Sequence, residues 1–277
     1  MIDIRQSVQY ANYLEKEGWI VERFDGVNYF IRKFLIFGSI LKLQRPEKID
    51  FEVIDKLCRK YRVFQVILEP KNEFQTKFLA SNGFKLSKST YLPSKTLQID
   101  LTQSEKTIFQ NLKKDARRAI RRGQQPLVID YLSPAGVRKW REAWRFAVKF
   151  DRYVPGVEQL INLRKSFPSD NSLFLASHNI TGSIIGGVLF TNVSHEVAYY
   201  WYGFTNKEGR SSLSQYSLLY QGLLWAKKQG CKIFDFEGIY DPRFPNRSWL
   251  GFTHFKKSFG GTEVLYPGCY TKFRLPI

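Results

Sequence analysis

Cysteine is scarce in this chain: Cys58, Cys231 and Cys269 stand far apart among 277 residues, with no CxxC pair. That spacing excludes a disulfide scaffold or a cysteine-based zinc site and suits a reducing compartment. Histidine is equally rare. His178, His195 and His254 have no metal-ligand spacing among themselves or with the cysteines, so no metal is expected. No apolar run approaches the ~18 residues of a membrane span. The longest, "FLIFGSILKL" at 34–43, reads as a buried strand pair. The opening "MIDIRQSVQY" lacks the cationic-then-apolar layout of a secretory signal, so a cytoplasmic location is expected. Neither GxSxG nor GxxxxGK(S/T) occurs, which leaves a nucleophile-elbow hydrolase and a P-loop enzyme without support.

Acidic residues are the remaining shortage. Only 25 Asp and Glu face 43 Lys and Arg, a net charge of +18 that implies an anionic partner: nucleic acid, nucleotide or an acidic membrane surface. What is plentiful is aromatic, at 16%. The length suits one large or two small domains, ample for a core.

The element order repeats. "SVQYANYLEKEG" predicts a helix from a Ser cap to Gly18, and strands follow with "DG" as the turn between the first two. "FEVIDKLCRKY" is a helix, "VFQVILEP" a buried strand and "NEFQTKFLASNGF" a helix ending at Gly83. After two more helices the plan recurs: three strands in "NSLFLASHNITGSIIGGVLF" and "EVAYYWYGF", a helix in "SSLSQYSLLYQGLLWAKKQG", the buried strand "CKIFDFEG", the helix "GFTHFKKSFGG" and a last strand. This order, met twice, resembles the GNAT acyltransferase unit, and the likeness of "TKFLASNGFKL" to "THFKKSFGGTEVL" suggests an internal duplication. An α+β fold of two GNAT-like domains with a cleft between them is therefore expected. Residues 1–101, completed by a C-terminal strand at about 265–277, would form the first domain and 102–264 the second. GNAT enzymes that use acetyl-CoA carry a Q/R-x-x-G-x-G/A turn whose amides hold pyrophosphate. The corresponding "TNKEGRSSLSQ" has one glycine, Gly209, which disfavours an acyl-CoA donor.

"TQSEKTIFQNLKKDARRAIRRG" carries the densest charge. Thr102 and Glu105 form a capping box and Gly123 a stop. At helical spacing, Ile108, Phe109, Leu112, Ala116, Ala119 and Ile120 share an arc of about 120°; Lys113, Lys114, Arg117, Arg118, Arg121 and Arg122 fill an adjoining one of about 180°. Like charges at i, i+4 destabilise an isolated helix, and only Asp115 offsets them, so contact with phosphates is favoured over a merely solvated face. Arg138, Lys139, Arg141, Arg145 and Lys149 extend the cluster. In "VAYYWYGF" strand alternation puts Tyr200 and Tyr202 on one face and Tyr199 and Trp201 on the other, one set packing the core and the other free to line a cleft.

These segments, with "RQSVQYANYLEKEGW", "YYWYGFTNKEGR" and "DFEGIYDP…GFTHFKKSFGG", occur in the order of the FemABX family, and the chain resembles it along nearly its whole length. Members are non-ribosomal peptidyltransferases that move an amino acid from aminoacyl-tRNA to the peptide stem of a peptidoglycan precursor, with no cofactor beyond that donor. The resemblance implies twin GNAT-like domains, here without room for the long helical arm of some members. It implies Phe255-Lys256 as the Phe-Lys pair of the C-terminal helix, Tyr202 as the tyrosine ending the Y-x-Y strand and Glu69 as the acid after the first domain's buried strand. The residues that grip the precursor's pyrophosphate in the family depart here: their positions hold Asn12, Pro155 and Gln159, with Arg152-Tyr153 or Arg164 as substitutes.

An aminoacyl ester is already activated, so an attacking amine needs positioning, proton removal and a stabilised oxyanion. Lys256 would supply the last, or neutralise the terminal adenosine's phosphate. Glu69, Asp235 and Glu237 would steer or deprotonate the incoming ammonium, unless the tRNA's own ribose or phosphate does so. Asp235 and Glu237 point the same way on an ideal strand, and Arg243 is a local partner for one of them. The basic helix would meet tRNA phosphates without reading sequence. The alternatives are an acyl-CoA-dependent GNAT enzyme, the same donor with a protein N-terminus or lipid headgroup as acceptor, and a non-catalytic module binding RNA or an anionic membrane.

Overall fold

A computed structural model describes residues 2–123, 133–149, 152–168 and 170–275. Ser7 accepts a hydrogen bond from the Tyr10 amide and starts α1 (Val8–Lys16). β1 (Ile20–Phe24) and β2 (Val27–Phe34) form a hairpin around Asp25 and Gly26, whose φ of 47° and 79° fit a two-residue primed turn. β3 (Gly38–Gln44) returns antiparallel to β2, and α2 (Phe51–Tyr61), capped by Asp50, leads to β4 (Val63–Glu69), parallel to β3. α3 (Glu73–Thr76), β5 (Lys85–Leu86) and β6 (Lys95–Asp100) follow. Then come α4 (Glu105–Asn111), α5 (Lys114–Arg122), α6 (Pro134–Ala147) and α7 (Val157–Ser166). β7 (Ser172–His178), β8 (Ile184–Val193) and β9 (Val197–Thr205) precede α8 (Lys207–Ser211) and α9 (Ser214–Lys228). β10 (Ile233–Gly238), α10 (Leu250–Lys257), β11 (Thr262–Leu265) and β12 (Tyr270–Phe273) complete the order.

Two six-stranded sheets share one plan. In the first, β1, β2 and β3 are an antiparallel meander, β4 is parallel to β3, and β12 lies between β4 and β5. In the second, β7, β8 and β9 are the meander, β10 is parallel to β9, and β6 and then β11 follow. The α+β architecture expected from the repeated element order is thus present. Two compact units divide the chain: residues 1–96, 238–249 and 264–277 in unit 1, and 97–237 and 250–263 in unit 2. Of the expected C-terminal strand, residues 276 and 277 lie outside the described residues.

In unit 1, Tyr29, Ile31, Leu41 and Leu43 pack with Ile54 and Leu57 of α2 and Val66 and Leu68 of β4. Unit 1 also holds a buried ionic knot of Asp3, Arg5 and Arg45. Burial opposes the charge of Asp3, but the Arg5 and Arg45 guanidiniums outweigh it and hold the carboxyl below its usual range. In unit 2, fully buried Trp140 of α6 donates its indole N–H to the Leu175 carbonyl at 3.0 Å and meets Phe204 edge-on at 5.0 Å.

Three expectations need correction. "FLIFGSILKL" is not a buried strand pair throughout: β2 and β3 bracket a 3-10 turn at Leu35–Phe37 that stands in solvent. The helix expected to run to Gly83 keeps helical form only over Glu73–Thr76. The basic segment is two helices. Leu112 and Lys113 take extended conformations (ψ 146° and 153°), α4 is capped by Ser104 and not by a Thr102 box, and Lys113 becomes the residue before α5. The break lets Ile108 and Leu112, as well as Ala116 and Ala119, stay buried.

Gly209, the lone glycine of the degenerate turn, has a steric role. A Cβ there would sit 2.3 Å from the Ile185 carbonyl oxygen and 2.6 Å from Thr205 Oγ1. Gly209→Ala is therefore expected to lower stability by about 1–3 kcal/mol, read as a shifted urea midpoint with an unchanged slope.

Candidate active site

The segment 233–238 alternates Phe234 and Phe236 with Asp235, and all three are buried. Recorded pairing of β10 with β9 ends at Asp235 opposite Tyr199; two residues on, Glu237 takes φ 59°, an uncommon value for a side-chain-bearing residue. The Phe236 carbonyl, between them, accepts a hydrogen bond from Lys256 Nζ at 2.7 Å. Asp235 Oδ1 accepts from the Glu237 amide at 2.6 Å and Oδ2 from the Gln98 amide group at 2.8 Å.

α10 turns Thr253 and Lys256 inward. Its neighbours diverge because successive helical residues differ by about 100°. Phe255 packs on Tyr216 at 4.8 Å between centroids and on Phe259, and Lys257 pairs with Glu263. Lys256 is 8% exposed, with its ammonium 5.4 Å from the centre of the Tyr200 ring and 5.0 Å from that of Phe252. Burial pushes its pKa down to about 8, against the opposing pull of Glu237 and Asp235. At pH 7 the cation still predominates by about ten to one. Burial likewise pushes the Tyr200 phenol up to about 12, although the Gln215 amide donates to it at 3.1 Å, so it stays protonated.

The tyrosines do not share a face. Leu189 pairs with Tyr202 and Phe190 with Tyr200, so Trp201 is the extra residue of a bulge that reverses the alternation. Tyr200 lies with Phe190, Phe236 and Lys256, whereas Tyr202 packs on Trp144 of α6 at 5.3 Å. Gly203 gives the phenol room: a Cβ there would lie 1.9 Å from the Tyr200 oxygen. Asp235 and Glu237 both act on Lys256, but the left-handed backbone at Glu237 departs from the ideal strand that was expected.

Glu69, expected as a catalytic acid, is occupied otherwise. It is buried at the end of β4, where it accepts from the Tyr91 and Leu92 amides and the Gln44 side chain, pinning the 91–92 loop to the sheet. Arg243 pairs with Asp241 and with neither Asp235 nor Glu237. Arg152 is exposed and Arg164 donates to Ser172. Asn12 lies exposed on α1, Pro155 is buried, and Gln159 accepts from the Gly156 amide at the start of α7. Within the basic segment, Arg117 donates to the Gln110 and Leu112 carbonyls, closing the end of α4, and Arg121 lies over the Phe109 ring. Lys113 is exposed at the helix break, and Lys114, Arg118 and Arg122 form an exposed ladder at i, i+4 along α5.

Sequence reasoning missed Gln98, Gln215, Phe252 and Gly203; the last three lie inside the quoted segments, but their part in the site shows only through their placement. It also missed a cavity of about 370 Å³ in unit 1, lined by residues of 88–94 and 239–249 that include Tyr91, Ser94, Asp241 and Trp249. There Ser94 donates to Asp241 at 2.6 Å, and Lys256 is not among the lining residues. Among the described residues no His, Cys, Asp or Glu cluster could hold a metal ion.

No protein-family model and no curated protein matches the chain. Solved structures do. FemX superposes with a TM-score of 0.81 at 14% identity, over 98% of this chain and 92% of FemX. L-PGS from Bacillus licheniformis gives 0.57 at 14% identity, over 96% and 87%. A tandem GNAT protein from the clavulanic acid biosynthesis pathway gives 0.55 at 9% identity, over 91% and 81%. The chain thus has a FemX-like double GNAT fold, and no long helical arm is present among the described residues.

The depressed pKa of Lys256 has a thermodynamic signature. Unfolding returns it toward its ordinary 10.5, so the unfolded chain takes up a proton between pH about 8 and 10.5 and the folded state gains stability as pH rises through that window. Relative to Lys256→Met, the unsubstituted chain is expected to gain about 2–3 kcal/mol between pH 7.5 and 10.5 in urea titrations. Parallel stability curves for the two proteins would mean that the amine is solvated.

Proposed function

We propose that the chain is an aminoacyltransferase that moves an amino acid from aminoacyl-tRNA to an amine of a peptidoglycan precursor peptide. The observation that carries this reading is a desolvated, largely cationic Lys256 held beside Asp235, Glu237 and Tyr200 within a FemX-like fold. In the proposed reaction the acceptor amine attacks the ester carbonyl carbon. The negative charge that develops on the carbonyl oxygen is met by the Lys256 ammonium, which is already fixed by the Phe236 carbonyl and needs little reorganisation. The C–N bond forms, the C–O bond to the ribose breaks, and the proton lost by the amine passes to the departing ribose hydroxyl. Glu237 and Asp235 favour an approaching ammonium by charge, and Tyr200 remains a neutral hydroxyl. Glu69 takes no part in this scheme, because its oxygens already hold the 91–92 loop.

The donor's phosphates would lie along Lys114, Arg118 and Arg122, with Lys113 beside them. No further cofactor is invoked. The need for charged tRNA locates the reaction in the cytoplasm.

Two experiments test the reading. With radiolabelled aminoacyl-tRNA and precursor, Lys256→Ala is expected to reduce transfer by about 10²–10³-fold. Activity of the unsubstituted enzyme should fall as pH rises past about 8, the value to which burial lowers Lys256, and Lys256→Arg should carry that falling limb upward. Full activity in Lys256→Ala, or transfer from an acyl-CoA with tRNA absent, would overturn the proposal. The triple change Lys114→Glu, Arg118→Glu, Arg122→Glu should weaken tRNA binding and lower the slope of log K against log salt by about two to three. An unchanged slope would remove α5 from the interface.

A further inference from the structure

One end of the first sheet is built unlike a soluble surface. Because β3 and β4 are parallel and β2 and β12 run against them, the end of β2, the starts of β3 and β4 and the end of β12 come together. Ring contact between Phe34 and Phe64, and a hydrogen bond from the Arg274 amide to the Phe64 carbonyl at 2.8 Å, tie them to one another. At this end four consecutive apolar residues face out: Phe34 is 42% exposed, Leu35 100%, Ile36 85% and Phe37 71%. Phe273 and Leu275, past the same edge, are 73% and 84% exposed. Scattered apolar residues are ordinary on a surface, but six collected at one sheet end are not.

The turn is held in place. Leu35 has φ 33° and Gly38 φ 92°, and a Cβ at Gly38 would lie 2.4 Å from the Arg62 carbonyl oxygen, so no other residue suits that position. The Ser39 amide also donates to the Arg62 carbonyl. A backbone conformation that disfavours most residues is thus maintained to present Leu35 and Ile36 outward. Cations ring the turn: Lys33 and Arg62 are exposed on either side, and Arg274 is paired with Asp55 behind it.

We infer that this end of unit 1 is an interfacial anchor that seats on an anionic lipid bilayer. Leu35, Ile36 and Phe37 would enter the acyl boundary, and Lys33 and Arg62 would meet phosphate headgroups. A symmetric contact with a second copy would bring the same cations against each other, which works against that occupant. RNA could stack on Phe37, but Leu35 and Ile36, the most exposed residues of the patch, offer no ring for a base, whereas an acyl boundary takes all three. The inference stands apart from the transferase reading, because vesicle binding is measured without amino acid transfer.

Sedimentation of the full chain with vesicles of equimolar phosphatidylcholine and phosphatidylglycerol tests it. Ile36→Asp with Phe37→Asp is expected to lower partitioning by about tenfold or more, with the thermal midpoint unchanged. Pure phosphatidylcholine should bind far less of the unsubstituted protein. As a second readout, Leu35→Cys offers one accessible thiol, since Cys58, Cys231 and Cys269 are buried. An environment-sensitive dye attached there should shift to the blue on adding anionic vesicles. Partitioning unaffected by the aspartates, a dye that stays in water, or aspartates that abolish a dimer in gel filtration without changing vesicle binding would each overturn the inference.

Discussion

The hydrogen bond from Lys256 to the Phe236 carbonyl organises the site, because it holds a cation where water does not stabilise it. Desolvation of an ammonium is expensive, and an isolated one would lose its proton or leave the interior. Here the expense is met from several sides: a carbonyl oxygen at hydrogen-bond distance, two aromatic faces and two carboxylates acting through space. The balance leaves the group still mostly charged at neutral pH but readily discharged above it. The left-handed Glu237, the bulge at Trp201 and the glycine at 203 all bear on that one amine or on the Tyr200 beside it.

Two of the chain's backbone irregularities, the bulge at Trp201 and the left-handed Glu237, fall beside Lys256 and Tyr200. A regular β9 would have sent Tyr200 and Tyr202 to one face, yet the bulge assigns one to the lysine and the other to Trp144. A bulge commonly re-aims the side chains around it in this way.

The repeated element order was legible because helix and strand periods, glycine stops and the Asp25-Gly26 turn are local signals. Lys256 stood out through resemblance and Asp235 and Glu237 through strand alternation, and the structure groups them with Tyr200; the tyrosine that the resemblance implies, Tyr202, packs on Trp144 instead. The break after Leu112 was not: the 112–113 step looks helical by period, and only burial of Leu112 together with Ala116 rewards the kink. The employment of Glu69 and Arg117 was hidden for a different reason. Glu69 satisfies the Tyr91 and Leu92 amides, more than twenty residues on, and Arg117 satisfies carbonyls that are freed only because α4 ends at Leu112. The exposed 35–37 turn was misread because hydrophobicity alone cannot distinguish a residue that packs from one that is presented.

The place of β12 in the first sheet bears on how the chain assembles. Tyr270 pairs with Leu68, about two hundred residues earlier, so closing that ladder requires a very long loop to form late. During synthesis the first meander and β4 emerge well before their last neighbour. Over that interval β4 has β3 on one side and an open row of amides and carbonyls on the other. The nascent first half therefore keeps an unpaired strand margin that only the final strand covers.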